Sequence, residues 1–534
     1  MPFDPLSYRY PSRRALVYGF RGMVATTVPL AAWAGLEMIR RGGNAIDAAI
    51  ATAICLTVVE PTSNGIGGDA FAIIYHDGKL FGLNSSGPAP QLISAEKLKE
   101  MGFEKMPKYG FPPVTVPGAP AAWAYLSKRF GKLPFKELFE PAIAYAEEGF
   151  PVSPTVASSW KKAYETYKSL SGEEFSFWFK TFCPQGKAPE AGEVVKLKDH
   201  ARTLKAIALS EGRDFYEGEI AERIEAFSKR FGGFLRKEDL SAFAPEEVTP
   251  LKVNYRGYDV FELPPNSHGI VVLIALGILS GFDLGSMKLE EATHLQIESI
   301  KIAFEEAFRI VSDPRFKEIP LEEVLSEESF NKKRSLIGEG VYVPKVDKVK
   351  EFGTVYLATA DSYGNMVSFI QSNFTGFGSG LVVPETGIAL HNRGYSFSLN
   401  PSDPNFLMPG KRPYHTIIPG FLMKNGKPIG PFGVMGAFMQ PQGHLQLLCG
   451  LIDRGLNPQE ALDAPRWQWR GERKVHLEKS FPKDVKEALL KRGHEVQWSE
   501  DVDSFGRGQM IWKLENGALV GATEPRADGY IAVL

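Results

Sequence analysis

The sequence predicts an α+β protein built in layers, and three observations predict it. Helical periodicity dominates the first 310 residues, with strand hairpins set between the helices. A charged stretch poor in core residues, 325–353, follows and reads as the most disordered part of the chain. Beyond it the chain turns strand-rich. Helices and strands that come in blocks suit stacked layers better than a regular βαβ series.

The elements follow in order. Residues 30–41 and 44–58 read as helices, the second with Asn44 as N-cap and Asp47 three positions on. "NGIGGD" then feeds a strand at 70–75, an Asp77-Gly78 hairpin turn and a second strand. Gly65, Gly67 and Ala70 loosely match a dinucleotide fingerprint, but the order helix, glycines, strand is the reverse of what that site needs. Helices are expected at 119–130, 134–148, near 154–170, within 198–228, and as a short capped turn at 232–240. Strands at 251–265 flank an Arg256-Gly257 turn, and helices at 269–280 and 292–311 follow. After the charged stretch, strands are expected at 354–360, 366–371 and 380–390, a helix at 443–454, and further strands to the end.

Composition narrows the function. The 534 residues allow two to four domains or one large interlocked one. At 44 % hydrophobic, 23 % charged and a formal charge of −2, with no long basic run, the chain is not built for nucleic acid or an anionic membrane surface. Cys55, Cys183 and Cys449 are too few and too scattered for a disulfide framework, and no Cys/His ligand spacing or HExxH pair points to a metal. No cofactor is implied. The N-terminal residues lack an apolar signal-peptide core, and the apolar run 23–39 contains Pro29 and is too short to span a bilayer. A cytoplasmic protein is expected.

Several segments, in order, resemble the gamma-glutamyltranspeptidase family of N-terminal nucleophile hydrolases. They include "GGNAIDAAIATAICLTVVEPTSNGIGGDAF" (42–71), "VPGAPAAW" (116–123), "LFEPAIAYAEEGFPVS" (138–153) and "YRGYDVFELPPNSHGI" (255–270). "KIAFEEAFRIVSDPRF" (301–316), "GKRPYHTIIPG" (410–420), "APRW" (464–467) and "EPRADG" (524–529) continue the series. The resemblance implies a four-layer αββα sandwich, made as one precursor that cuts itself between Gly353 and Thr354. Residues 1–353 would form a large subunit and 354–534 a small one, together one interlocked domain, with a dimer of such heterodimers left open.

The resemblance makes Thr354 the nucleophile. A new N-terminal Thr carries its own base, because its α-amine titrates near ~8 and can take the hydroxyl proton. Hairpin geometry adds a second hydroxyl. If Ala360 pairs with Met366, Thr354 faces Ser372, whereas a one-residue slip would put Asn373 there. The positions matching the family's two oxyanion amides are Met439 and Gln440, where the family has glycines. The glutamyl pocket departs further. The Arg that grips the substrate α-carboxylate falls on Ser86 and the Asp that holds the α-amine on Ser396, while a neighbouring Gln becomes Arg393 and paired serines become His415 and Thr416. Arg393 either supplies the missing positive charge to a substrate carboxylate or pairs with an acidic neighbour.

The expected activity is amide cleavage through a Thr acyl-enzyme on small gamma-glutamyl compounds, with water or an amine as acceptor. Two alternatives stand beside it: an acylase for another side chain such as glutaryl, and an unprocessed homologue serving as a binding module.

Overall fold

A computed structural model describes residues 14–345 and 353–534. Two seven-stranded sheets lie face to face between helical layers. Their fourteen strands are β1 (Val17–Gly19), β2 (Gly22–Thr26), β3 (Asp69–His76), β4 (Lys79–Ser85), β5 (Glu246–Val248), β6 (Leu251–Tyr255) and β7 (Tyr258–Glu262). After the charged stretch come β8 (Val355–Asp361), β9 (Met366–Ser372), β10 (Gly420–Lys424), β11 (Lys427–Met435), β12 (Arg507–Lys513), β13 (Leu519–Thr523) and β14 (Tyr530–Val533). The first sheet has the order β14-β2-β8-β9-β3-β4-β5 and the second β1-β13-β12-β11-β10-β7-β6. Every strand junction is antiparallel. Each sheet mixes strands from before and after residue 353, so the two halves of the chain are interleaved rather than docked.

Strand alternation sorts the side chains into three apolar layers. Phe71, Ile73, Tyr356, Met366 and Ile370 of the first sheet meet Phe421, Met435 and Ile511 of the second between the sheets. The opposite face of the first sheet, with Val355, Leu357, Val367 and Phe369, packs on helix α1 (Ala45–Val59) and its neighbours. The outer face of the second sheet packs on α2 (Ile270–Leu279), α3 (Leu289–Ile310) and α4 (Met439–Ile452). The stacking is the expected αββα sandwich.

Local signals explain why the expected elements form. The Asn44 side chain accepts from the amides of Ile46 and Asp47 at 2.9 and 3.0 Å, and the Asp47 carboxylate takes the Asn44 amide in return at 2.9 Å. All fifteen residues of α1 are buried, so its Ala-rich sequence lets it lie close on the sheet. The order helix, glycine turn, strand holds from α1 to β3, the reverse of a dinucleotide site.

Three expectations are corrected. Residues 325–345 are not open chain: Glu327–Arg334 is a helix, capped by the Ser326 hydroxyl and pinned by buried Phe330 against Gly277. Residues 346–352 of that stretch lie outside the described residues. Residues 380–390 are an irregular buried loop with two isolated bridges, Val382 to Ala389 and Leu390 to Gly67, because Gly380 and Gly387 take positive φ and break any longer ladder. The helix expected at 443–454 starts at Met439, since Pro441 falls in the first turn, where its missing N–H is not needed. The terminal region also carries helices Pro458–Asp463 and Lys483–Lys491 between its strands.

Among the described residues no helix is long and apolar enough to cross a membrane. The three cysteines are free and buried.

Candidate active site

The hairpin β8–β9 pairs Ala360 with Met366 and Val355 with Gln371. One further step puts Thr354 opposite Ser372, and the hydroxyls lie 3.2 Å apart. The register with Ser372, not Asn373, is the one formed. Asn373 instead places its amide against Gly65 and Gly68, where an added Cβ would come within 2.9 Å of its Nδ2 and Oδ1 respectively. Both polar atoms of that amide lack hydrogen-bond partners. The glycines of "NGIGGD" thus make room for the end of β9; at Gly68 a Cβ would also lie 2.7 Å from the Ser372 carbonyl oxygen.

Both hydroxyls reach the carbonyl oxygen of Gly353, Thr354 Oγ1 at 2.8 Å and Ser372 Oγ at 3.0 Å. The Phe374 amide donates to Ser372 Oγ at 2.8 Å, fixing that hydroxyl as acceptor on one side and donor on the other. Thr354 is only 1 % exposed. Beside Gly353 opens a cavity of about 280 Å³ lined by Thr62, Ser63, Thr375 and Met435.

The row continues across the sheet. Ser372 pairs with Asp69 on β3, and Ala70 with Ser85 on β4, so Thr354, Ser372, Asp69 and Ser86 stand side by side on one face. Asp69 is the residue that sequence reasoning missed. Its carboxylate accepts from Arg393 Nε at 2.9 Å and Nη2 at 3.3 Å, and from His415 Nε2 at 2.7 Å, with His391 Nδ1 at 3.3 Å. Burial alone would raise its pKa, but Arg393 and His415 outweigh burial and hold it well below the ordinary carboxylate range. Burial, helped by Arg393, pushes His415 down to about 4, so it is neutral near pH 7. A carboxyl at the first position of an otherwise apolar strand was the available signal, since a buried charge there demands a partner.

Arg393 therefore pairs with an acidic neighbour, the second of its two expected roles. Its Nη1 donates to Thr416 Oγ1 at 2.8 Å and its Cζ lies 4.2 Å from the Phe374 ring centre. The Ser396 hydroxyl is turned to the carbonyls of Arg393 and Tyr414, at 3.0 and 2.9 Å. Ser86 bonds Asn84 at 2.7 Å and accepts from Asn266 at 3.3 Å. The amides of Met439 and Gln440, at the start of α4, donate to the carbonyls of Gly436 and Ala437 at 2.9 and 3.0 Å. A second cavity of about 470 Å³ borders Ser396 and is walled mainly by apolar and aromatic side chains, among them Phe308, Phe374, Tyr395, Tyr414 and Phe438.

The gamma-glutamyltranspeptidase family profile matches residues 31–534. The chain belongs to the gamma-glutamyltranspeptidase family. With it goes membership of the N-terminal nucleophile hydrolases, and the protein is an enzyme of the hydrolase and transferase kind. It is 35 % identical over 526 residues to the glutathione hydrolase-like YwrD proenzyme of Bacillus subtilis, covering 96 % of this chain and 98 % of that one. It is 33 % identical over 528 residues to the acylase ACY 1 proenzyme of Pseudomonas sp. strain SE83, covering 96 % and 93 %. The crystal structure of the cephalosporin acylase from Bacillus halodurans superposes with a TM-score of 0.97 at 54 % identity, over 100 % of this chain and 99 % of that one.

His294, Glu298 and His494 are buried with their ligand atoms within 4.8 Å of one another. Lys301 already occupies the cation position, 2.7 Å from Glu298 and 3.5 Å from His494, while His494 contacts His294 at 2.9 Å and His294 contacts the Gly338 carbonyl at 3.2 Å. The chain of donors and acceptors closes on itself without an ion, and it ties residues 338–342 to α3.

Proposed function

We propose that this family member is a self-processing amidohydrolase and acyltransferase that uses Thr354 as its nucleophile. The observation that carries the reading is the pair of hydroxyls converging on the Gly353 carbonyl. Each hydroxyl has one proton. With Ser372 donating to the Gly353 oxygen, Thr354 Oγ1 is free to turn a lone pair to the carbonyl carbon. Attack there moves the acyl bond from nitrogen to oxygen, and the hydroxyl proton goes to the departing amine. Water then opens the ester, leaving a Gly353 carboxylate and a free Thr354 α-amine.

In the mature site that amine takes the Oγ1 proton as Oγ1 attacks the substrate amide. The proton passes to the leaving amine, and water or a second amine receives the acyl group. The developing oxyanion lies under the N-terminus of α4. The Met439 and Gln440 amides must there share their protons with Gly436 and Ala437, so the positive helix end adds to what two shared donors supply.

As to the acyl group, an acylase acting on amides other than those of free glutamate is the better reading. Ser86 and Ser396 are uncharged and turned to other partners, Arg393 is neutralised by Asp69, and the 470 Å³ cavity beside Ser396 has more apolar than polar wall, with Glu104, Lys105 and Asp403 on it. The family match keeps gamma-glutamyl amides as the second reading.

Intact mass of fresh protein tests the processing. Two species ending and starting at the 353/354 junction are expected from the natural sequence, and one unprocessed, inactive chain from Thr354→Ala. A natural chain that stays whole and turns over no amide would instead make it a binding module. A set of acyl anilides, gamma-glutamyl among them, then ranks the acyl groups.

A further inference from the structure

On the reading of Thr354 as nucleophile, self-cutting hands the cavity beside Gly353 to the substrate. In that step Gly353 is the acyl group passed to Thr354 Oγ1, so a substrate acyl group on the same oxygen takes the side that Gly353 faces. The cavity there, of about 280 Å³, fits a short chain. Arg507 lies on its wall, 5 % exposed. It opens β12 and pairs with Met435, which lines the same cavity and leads into the turn before α4. The guanidinium and the place where the oxyanion develops therefore share one wall.

Arg507 is only partly engaged. Nη2 donates to Asp503 at 2.8 Å. Nη1 stands 3.9 Å from Glu60, beyond hydrogen-bond distance, and Nε has no partner among the described residues. Asp503 also takes Lys162 at 2.7 Å, so its charge is divided between two cations. Lys108, Lys162 and Arg507 line the cavity against Asp501 and Asp503, an excess of positive charge. Burial raises Glu60 to about 7, so at pH 6 it adds little negative charge behind the guanidinium. Arg393 is the contrast: Asp69 takes its Nε and Nη2, Thr416 takes its Nη1, and it is fully buried.

Resting on that reading, we propose that Arg507 is the specificity-determining residue of this site, receiving a carboxylate at the far end of a short acyl chain. A guanidinium with donors to spare on a cavity wall can hold such a group by charge-assisted hydrogen bonds. The anchor then lies across the cavity from Gly353, not in the row of Ser86 and Ser396. It makes no demand for an α-amine, so a plain dicarboxylic acyl group such as glutaryl satisfies it.

Glutaryl and pentanoyl anilides, which differ by a terminal carboxylate in place of a methyl group, test this at pH 6. The natural enzyme should prefer the glutaryl compound, and preference for the pentanoyl one would overturn the proposal. In Arg507→Gln the ratio of glutaryl to pentanoyl kcat/KM should fall by about tenfold or more, mainly through KM for the glutaryl compound. Arg507→Lys, which keeps the charge, should recover part of that loss. An unchanged ratio, or an equal loss on both compounds, counts against the anchor. If Arg507→Gln does not process, Asp503→Asn decides. With the competing carboxylate gone, its KM for the glutaryl compound should drop relative to the pentanoyl one, and an unchanged KM ratio overturns the proposal. A carboxyl group that helps only when placed on the anilide ring would assign the anion to the leaving amine, and this too overturns it. An enzyme that neither processes nor cleaves any anilide refutes the nucleophile itself, a result distinct from each of these.

Discussion

Ser372 makes contacts on three sides: Thr354 Oγ1, the Gly353 carbonyl and the Phe374 amide. A side chain so placed is expected to serve both processing, by polarising the carbonyl, and turnover, by orienting Thr354. Ser372→Ala should still fold, because it removes one oxygen and leaves Thr354 Oγ1 and the Gly353 carbonyl paired with each other. Losing an orienting hydrogen bond of ~1.5–3 kcal/mol should slow both steps by ~10–100-fold. The rate at which the precursor band disappears, and kcat on a single anilide, measure the two separately. If only turnover slows, Ser372 does not act on the Gly353 carbonyl. Gly68 gives a steric counterpart. A methyl there meets the Ser372 carbonyl oxygen at 2.7 Å, so Gly68→Ala should displace the same hydroxyl without touching its chemistry.

At the scale of the element, α1 shows what a cap contributes. Asn44 serves two helix amides and, through Nδ2, the Phe130 carbonyl at 2.7 Å. Asn44→Ala should cost ~0.5–2 kcal/mol, seen as a lower urea midpoint, while kcat on a processed sample stays unchanged. This helix was legible because its signals are local: a capping residue, an acid three positions on, and an unbroken apolar run. The β8–β9 hairpin was legible for the same reason, although its turn left Ser372 and Asn373 both open opposite Thr354 until the folded register placed Ser372 there. Residues 380–390 misled because Leu381, Val383, Ile388 and Leu390 are truly buried, yet in a loop whose glycines, not its apolar residues, decide the path. Asp69 was inside a recognised segment but had no partner nearby in sequence. Arg393 and His415 reach it from more than 320 residues away, a pairing that only the folded sheet creates. For the same reason spacing alone left both roles of Arg393 open.

The whole molecule should respond to acid through its buried histidines. Burial pushes His200 down to about 4 and His444 to about 3, as it does His415 to about 4. Between those values and the unfolded pKa near ~6.5, the unfolded chain binds protons that the native one refuses, so stability falls as pH falls, by at most ~1.4 kcal/mol per unit for each. Glu60 opposes this, since burial raises it to about 7 and its contribution is lost as pH rises from ~4.5 through 7. His268, His294 and His494 are likewise held down and the paired Asp69 and Glu524 held low, while Glu262 and Glu298 side with Glu60. The histidines and paired acids together give a net fall in Tm from pH 6.5 to 4, which scanning calorimetry would register. A flat profile would mean that these rings take up protons without unfolding.

The interleaving of the two sheets carries a consequence for timing during synthesis. Thr354 leads into β8, whose neighbours are β2, made early, and β9; the facing sheet needs β12 and β13, more than 150 residues further along. Until those residues have left the ribosome, the Gly353 carbonyl has no closed layer above it. Self-cutting, as proposed, would then mark a finished fold: a stalled or misassembled chain would keep its junction, and the appearance of the small fragment would act as the molecule's own report that assembly is complete.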